Sequence, residues 1–241
     1  MTTTNTKESE IPFVAHLIEL RDRLLRVVLV VLVIFVVLFY FANDVYSYLA
    51  EPLLVRLAPG STMIATDVIS PFLTPMKLAL VLSIFLVMPY ILYHIWSFIA
   101  PGLYKHEKEL ARPLLVSSII LFYSGMAFAY YVVFPLVFGF IAAISIDGVN
   151  NMPDIKSYLD FVLVLFFAFG AAFEVPIATV ILVATGLTTP DKLVEKRAYI
   201  IVAAFVLGMF LTPPDVISQI MLAIPMWMLF ELGVVASRMV V

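Results

Sequence analysis

Six apolar runs, parted by short polar or proline-containing breaks, limit this chain to one class of fold. They cover residues 24–42, 78–96, 114–138, 159–185, 199–211 and 217–236. A helix needs about 20 apolar residues to cross roughly 30 Å of hydrocarbon. Charged residues make up 13% of the chain, whereas a soluble domain carries about 25%. The expected fold is an all-α integral membrane protein, residues 1–241 forming a single polytopic domain of six transmembrane helices. The fifth run reaches only about 20 Å as a helix, and the sixth about 21 Å before Glu231. The last two helices are therefore expected to be short, leaving polar groups at membrane depth or thinning the bilayer.

Lysine and arginine set the orientation. With the N-terminus inside, the inner segments hold Lys7, Arg21, Arg23, Arg26, Lys105, Lys108, Arg112, Lys192, Lys196, Arg197 and Arg238, which is 11 of the 14 basic residues. Cytoplasmic loops carry such an excess, so both termini are placed in the cytoplasm. The first apolar run is long for a signal sequence, and Phe41-Ala42-Asn43-Asp44 is no small-x-small cleavage site. It reads as a retained anchor.

Polar positions that interrupt this pattern are the candidates for function. Leu17, Leu20 and Leu24 recur at helical spacing, so the first helix is expected to start near Phe13, after Pro12, and run on into the membrane. Glu19 with Arg23 and Asp22 with Arg26 are i,i+4 pairs. They fit a salt-bridged interfacial helix, each pair adding ~0.2–0.5 kcal/mol, and they equally fit a recognition surface. Residues 43–77 contain Pro52, Pro59, Pro71 and Pro75, which suggests short helices on the outer surface. A new helix start is expected near Pro153-Asp154.

Glu174 stands in an apolar run between Gly170 and Pro176 with no basic residue near it in sequence. Such a carboxylate must be protonated, paired or wetted, and intramembrane acids mark function by default. Gly170 and Ala171 lie about one turn before it, so a small-residue hollow beside the acid is expected. Lys105, His106, Glu107, Lys108, Glu109 and Arg112 crowd between the second and third runs. That island reads as a cytoplasmic loop fixing topology, or as a loop that also presents Glu107 to a cationic peptide.

Several classes are excluded. A net charge of -3 argues against nucleic acid as a partner. The chain has no cysteine, so disulfides, thiol catalysis and thiolate metal sites are ruled out. No zinc-protease, nucleophile-elbow or phosphate-loop pattern occurs, and His16, His94 and His106 form no metal pattern. No catalytic residue, metal ligand or cofactor is expected. An ion-coupled secondary transporter of a small solute is the alternative reading, with Glu174 relaying protons, although no internal repeat of the transporter kind is visible.

Five stretches carry a family resemblance: H-L-I-E-L-R-x-R-L-L at 16–25, S-T-M-I-A-T-D at 61–67, F-I-A-P-G-L-Y-K-H-E at 98–107, F-E-V-P at 173–176 and L-T-P-P-D-V-x-S-Q at 211–219. Together they resemble the TatC family of the twin-arginine protein translocase. The resemblance implies a cup-shaped six-helix bundle in the bacterial cytoplasmic (inner) membrane and no enzymatic activity. It implies binding of the twin-arginine signal peptides of folded precursor proteins, recruitment of the single-span proteins TatB and TatA, self-association, contact with membrane lipid, and transport powered by the proton-motive force. By the same resemblance Glu19 and Glu107 bind the signal, with Arg21, Leu24 and Phe98 beside them. Glu174 is the intramembrane polar residue, Pro52, Phe72 and Asp215 serve the outer cap and loops, and Met209, Thr212 and Gln219 dock partner helices. The chemistry agrees: two neighbouring guanidiniums call for carboxylates in fork geometry, which lysine cannot match.

Overall fold

The computed structural model describes residues 7–55, 62–99, 108–143, 152–211 and 216–239. Among them the chain is helical, apart from one parallel bridge between Ile64 and Asp154. In order the helices are α1 (Lys7–Tyr40), α2 (Ala42–Leu54), α3 (Ser70–Ile99), α4 (Lys108–Phe128), α5 (Phe134–Ala143), α6 (Ile155–Ala172), α7 (Val175–Ala184), α8 (Pro190–Glu195), α9 (Arg197–Leu211) and α10 (Val216–Arg238). A π-helical stretch, Ala129–Val133, joins α4 to α5.

Among the described residues four stretches are long and apolar enough to cross a membrane: Ile18–Tyr40, Ser70–Ser97, Arg112–Phe140 and Ile155–Ala184. They overlie the first four apolar runs. The helix α9 has 15 residues, short as expected. The helix α10 has 23 and does not stop at Glu231. Arg197 at the start of α9 meets that carboxylate at 2.6 Å, and glutamate itself is a good helix former. α1 also begins earlier than Phe13, at Lys7. Pro12 removes only one backbone bond there, and Glu8 and Glu10 suit a first helical turn.

The core is organised on α6. Leu159, Val162, Leu165 and Phe169 of this helix are fully enclosed, against Phe134 and Val137 of α5. Glycines permit the closest approaches. A side chain at Gly125 of α4 would run into the Phe169 carbonyl. One at Gly233 of α10 would strike the Thr179 hydroxyl and reach Pro176 Cα at 2.8 Å. Close backbone approach of this kind lets helices pack in lipid, where water gives no driving force between them.

α2 and residues 62–69 close one end of the bundle. Ile64 N–H donates to the Pro153 carbonyl at 3.0 Å, and Ile155 N–H to the Ile64 carbonyl at 2.9 Å. The Tyr158 hydroxyl donates to the Leu49 carbonyl at 2.6 Å. Tyr46 donates to the Ile155 carbonyl at 3.2 Å, and burial, with Asp154 nearby, pushes its phenol up to about 12. Asp154 is the N-cap of α6, as the Pro153-Asp154 pattern foretold. One oxygen accepts from Ser157 N–H at 2.9 Å and the other from Thr66 N–H at 3.1 Å. These backbone donors, with the Thr66 and Ser157 hydroxyls, hold its carboxyl well below the usual carboxylate range.

Asp154→Ala will therefore loosen the cap, costing about 1–2 kcal/mol. The depressed carboxyl contributes fully above the ordinary aspartate range, near pH 4. The contribution fades as pH falls below that range toward the folded value. Thermal unfolding in detergent should show a gap between parent and variant at pH 7 that narrows at pH 3.

Candidate functional site

A polar groove of about 530 Å³ lies between α1 and α3, lined by Ile18, Glu19, Asp22, Arg23, Arg26, Tyr93, His94 and Ser97. α1 meets α3 along a stripe of half-buried residues, Arg23, Val27, Val30, Ile34 and Leu38. At the polar end of that stripe Arg23 reaches in two directions. Its Nη2 and Nε donate to Glu19 Oε1 at 2.5 and 3.0 Å. Its Nη1 lies 3.5 Å from the His94 carbonyl oxygen. A guanidinium thus rests between a carboxylate on one helix and a backbone acceptor on the next.

The Glu19–Arg23 pair forms as the spacing foretold. Asp22 departs from expectation: it bonds to Arg21 at 2.7 Å instead of Arg26, which lines the groove beside His94. The His94 ring sits edge-on to Tyr90, with centroids 4.4 Å apart, and both of its nitrogens are buried without a hydrogen-bond partner.

A second polar point lies within the bundle. α6 ends at Ala172, and Glu174 is the residue before α7. Pro176 offers no N–H to the Ala172 carbonyl, so the helix breaks there. Glu174 N–H instead bonds three residues back, to Ala171 at 3.1 Å. The Glu174 side chain is half-buried. Ser118 of α4, a residue almost fully enclosed, stands within hydrogen-bonding reach of it, while its Oε1 is buried without a partner. The expected hollow at Gly170 is filled: a Cβ on that glycine would lie 2.7 Å from the Phe122 ring. Ala171 opens the other way, into an apolar groove of about 420 Å³ that it shares with Phe167, Val175, Ile200, Leu207 and Met226.

The α9–α10 hairpin is the third feature. Gln219 Nε2 donates to the Phe205 carbonyl at 2.7 Å, and its side chain packs over Gly208, where a Cβ would stand 3.2 Å from Gln219 Cγ. Met209, Val202, Val206 and Phe210 are exposed on α9.

The sequence profile of the family described as Sec-independent protein translocase protein (TatC) matches residues 15–225, a stretch that holds the groove, Glu174, α9 and the first part of α10. The chain belongs to the TatC family. It is 58% identical over 234 residues to a TatC of Azotobacter chroococcum mcd 1, covering 97% of this chain and 92% of that one. To the Escherichia coli K12 protein it is 60% identical over 227 residues, with 94% and 88% covered. A crystal structure of the twin arginine translocase receptor TatC superposes with a TM-score of 0.82 at 37% identity, covering 93% of this chain and 99% of that one. As a TatC the chain is a multi-pass membrane protein of a protein translocation system.

Within this TatC frame the candidate residues fall at distinct places. Glu19 lines the groove. Arg21 and Leu24 are exposed on α1. Pro52 lies in the last turn of α2, and exposed Phe72 meets the Phe39 ring edge-on at 6.4 Å. Glu107, Thr212 and Asp215, like the Phe98 side chain, lie outside the described residues. The sequence reading missed His94, Tyr93 and Ser97 as groove residues and Ser118 as the partner of Glu174. The signal for His94 was present: it stands one helical turn before Phe98, a polar residue late in an apolar run. Among the described residues no cluster suits a metal ion.

Proposed function

We propose that this chain is the signal-receiving subunit of a twin-arginine translocase, with six spans, both termini in the cytoplasm, and a home in the bacterial inner membrane. It binds diarginine signal peptides of folded precursors on the cytoplasmic side, gathers TatB and TatA, self-associates, and supports export driven by the proton-motive force. The observation that carries the reading is the α1–α3 groove, where Glu19 already grips a guanidinium supplied by Arg23. An arginine side chain from a signal would find the same kind of acceptor. A second carboxylate on the cytoplasmic loop, Glu107, would take the neighbouring arginine. Membership in a protein translocase family speaks against the small-solute transporter.

The deciding experiment measures binding of a labelled diarginine peptide to the purified chain, with a dilysine peptide as control. Preference for the arginine peptide, lost in Glu107→Gln while the protein still inserts, is the expected result. Equal affinity for the two peptides, or unchanged binding in Glu107→Gln, would remove the reading.

Partner docking belongs to the same proposal. Met209 is exposed on α9, and Thr212 and Gln219 flank the turn that follows. Because the chain has no native cysteine, Met209→Cys should form disulfides with single cysteines placed in the transmembrane helices of TatB or TatA. Gln219→Cys also removes the bond to Phe205, a loss of about 0.6 kcal/mol in a membrane, so the hairpin should loosen without unfolding. Absence of any cross-link at Met209 would move docking to another face.

A further inference from the structure

A notch of about 250 Å³, its walls largely apolar but set with charged side chains, is cut into the wall of the bundle at the end closed by α2, between the starts of α3 and α6. Asp67, Thr74, Lys77, Lys156 and Asp160 line it. At 1.5 Å per residue, Lys77 lies roughly 10 Å into α3 and Asp160 roughly 8 Å into α6. Both helices belong to membrane-crossing stretches, so charge reaches below the helix ends. Lys77 Nζ and Asp160 Oδ1 neutralise one another at 2.6 Å. Asp67 and Lys156, both exposed, make no ion pair among the described residues.

Thr74 supplies the independent sign of a missing partner. The residue is only 3% exposed, and its Oγ1 is buried with no hydrogen-bond partner, although buried hydroxyls are nearly always bonded. The rim is apolar: Val68, Ile69, Phe72 and Leu73 are exposed beside the notch. Exposed apolar side chains next to lysine and aspartate, at the end of a span, are the signature of the lipid interface, where charged heads meet acyl chains.

We propose that this notch binds the headgroup of an amine-bearing phospholipid of the phosphatidylethanolamine type. Lys156 takes the phosphate, the Thr74 hydroxyl donates to it, and Asp67 accepts from the primary ammonium. One cation and one anion across a small opening match a zwitterion better than a simple anion. Choline has no N–H to give Asp67, and a glycerol headgroup has no positive charge. The inference is independent of signal recognition, since the groove between α1 and α3 contributes no residue to the notch.

Native mass spectrometry of the full chain in detergent tests it, with short-chain phosphatidylethanolamine, phosphatidylcholine and phosphatidylglycerol titrated separately. Phosphatidylethanolamine should bind best. Lys156→Ala should weaken it and phosphatidylglycerol roughly tenfold, the loss of one charge-assisted hydrogen bond, and Lys156→Arg should restore both. Asp67→Asn should weaken phosphatidylethanolamine alone; the Asp67 backbone carbonyl, which accepts from Ser70, is kept in that variant. Thermal melts confirm that each variant is folded. Equal binding of phosphatidylcholine and phosphatidylethanolamine, indifference to both substitutions, or displacement of the lipid by inorganic phosphate would overturn the proposal; the last result would mark a free-anion site.

Discussion

Glu174→Leu will leave diarginine peptide binding unchanged and lower transport about fivefold or more, whereas Glu174→Gln will keep most of the transport. The reason lies in the break between α6 and α7. Pro176 has already cost this helix a backbone hydrogen bond, and the Glu174 side chain bridges from the break to Ser118 on α4. Glutamine retains an oxygen that can accept from that hydroxyl. Leucine leaves the enclosed Ser118 without its partner, a penalty of about 1–3 kcal/mol, the rate equivalent of roughly five- to 150-fold. Reconstituted vesicles report transport, and peptide affinity is read on the same preparations. Full transport by the leucine variant would reduce Glu174 to a packing residue. Labelling of Glu174→Cys by a membrane-impermeant maleimide adds a separate reading, because it succeeds only where water reaches the break.

Glu19→Gln and Glu107→Gln will each weaken the diarginine peptide, and together they will weaken it by less than the product of the two effects. A hydrogen bond to a charged group contributes about 1.5–3 kcal/mol, or roughly ten- to 150-fold in affinity. Two carboxylates reading adjacent arginines share one ligand, so a coupling of about 0.5–3 kcal/mol is expected in a double-mutant cycle. Strict additivity would assign them separate roles. Arg23 adds a finer test. Its bond to Glu19 is an i,i+4 pair with the carboxylate 47% exposed, and such pairs contribute only ~0.3–0.5 kcal/mol. A signal arginine can displace so weak a contact. Arg23→Gln should therefore tighten peptide binding about twofold. Weaker binding in that variant would mean that Arg23 holds Glu19 in position.

Apolar length was the most legible property of this chain. The first four runs appear as the four long apolar stretches because only hydropathy and length decide them. The start of α6 was legible too, since Asp154 follows Pro153 and caps a helix by local chemistry alone. Features that depend on what lies across an interface were not legible. Gly170 promised a hollow, yet Phe122 comes from another helix to fill it. Glu231 interrupts the sixth apolar run, and the cation that meets it, Arg197, stands 34 residues away. The groove had the same limit: the spacing within α1 gave Glu19 and Arg23, but their neighbour His94 stands 71 residues from Arg23. Periodicity reads one element at a time, and each of these sites needs two.

α1 differs from the other long helices in one respect: no side chain from Ile18 to Tyr40 is buried. Its outward apolar residues, such as Leu25, Leu29, Leu32 and Val36, depend on the bilayer and not on the protein for cover. A helix held in this way answers to membrane thickness by tilting, at a cost of only fractions of a kcal/mol per ångström of mismatch. The packed core on α6 does not share that freedom. Because the groove is formed by α1 on one wall and α3 on the other, every change of tilt widens or narrows it. The thickness of the surrounding bilayer is thereby a variable in how firmly Glu19 and the His94 carbonyl can hold an arginine between them.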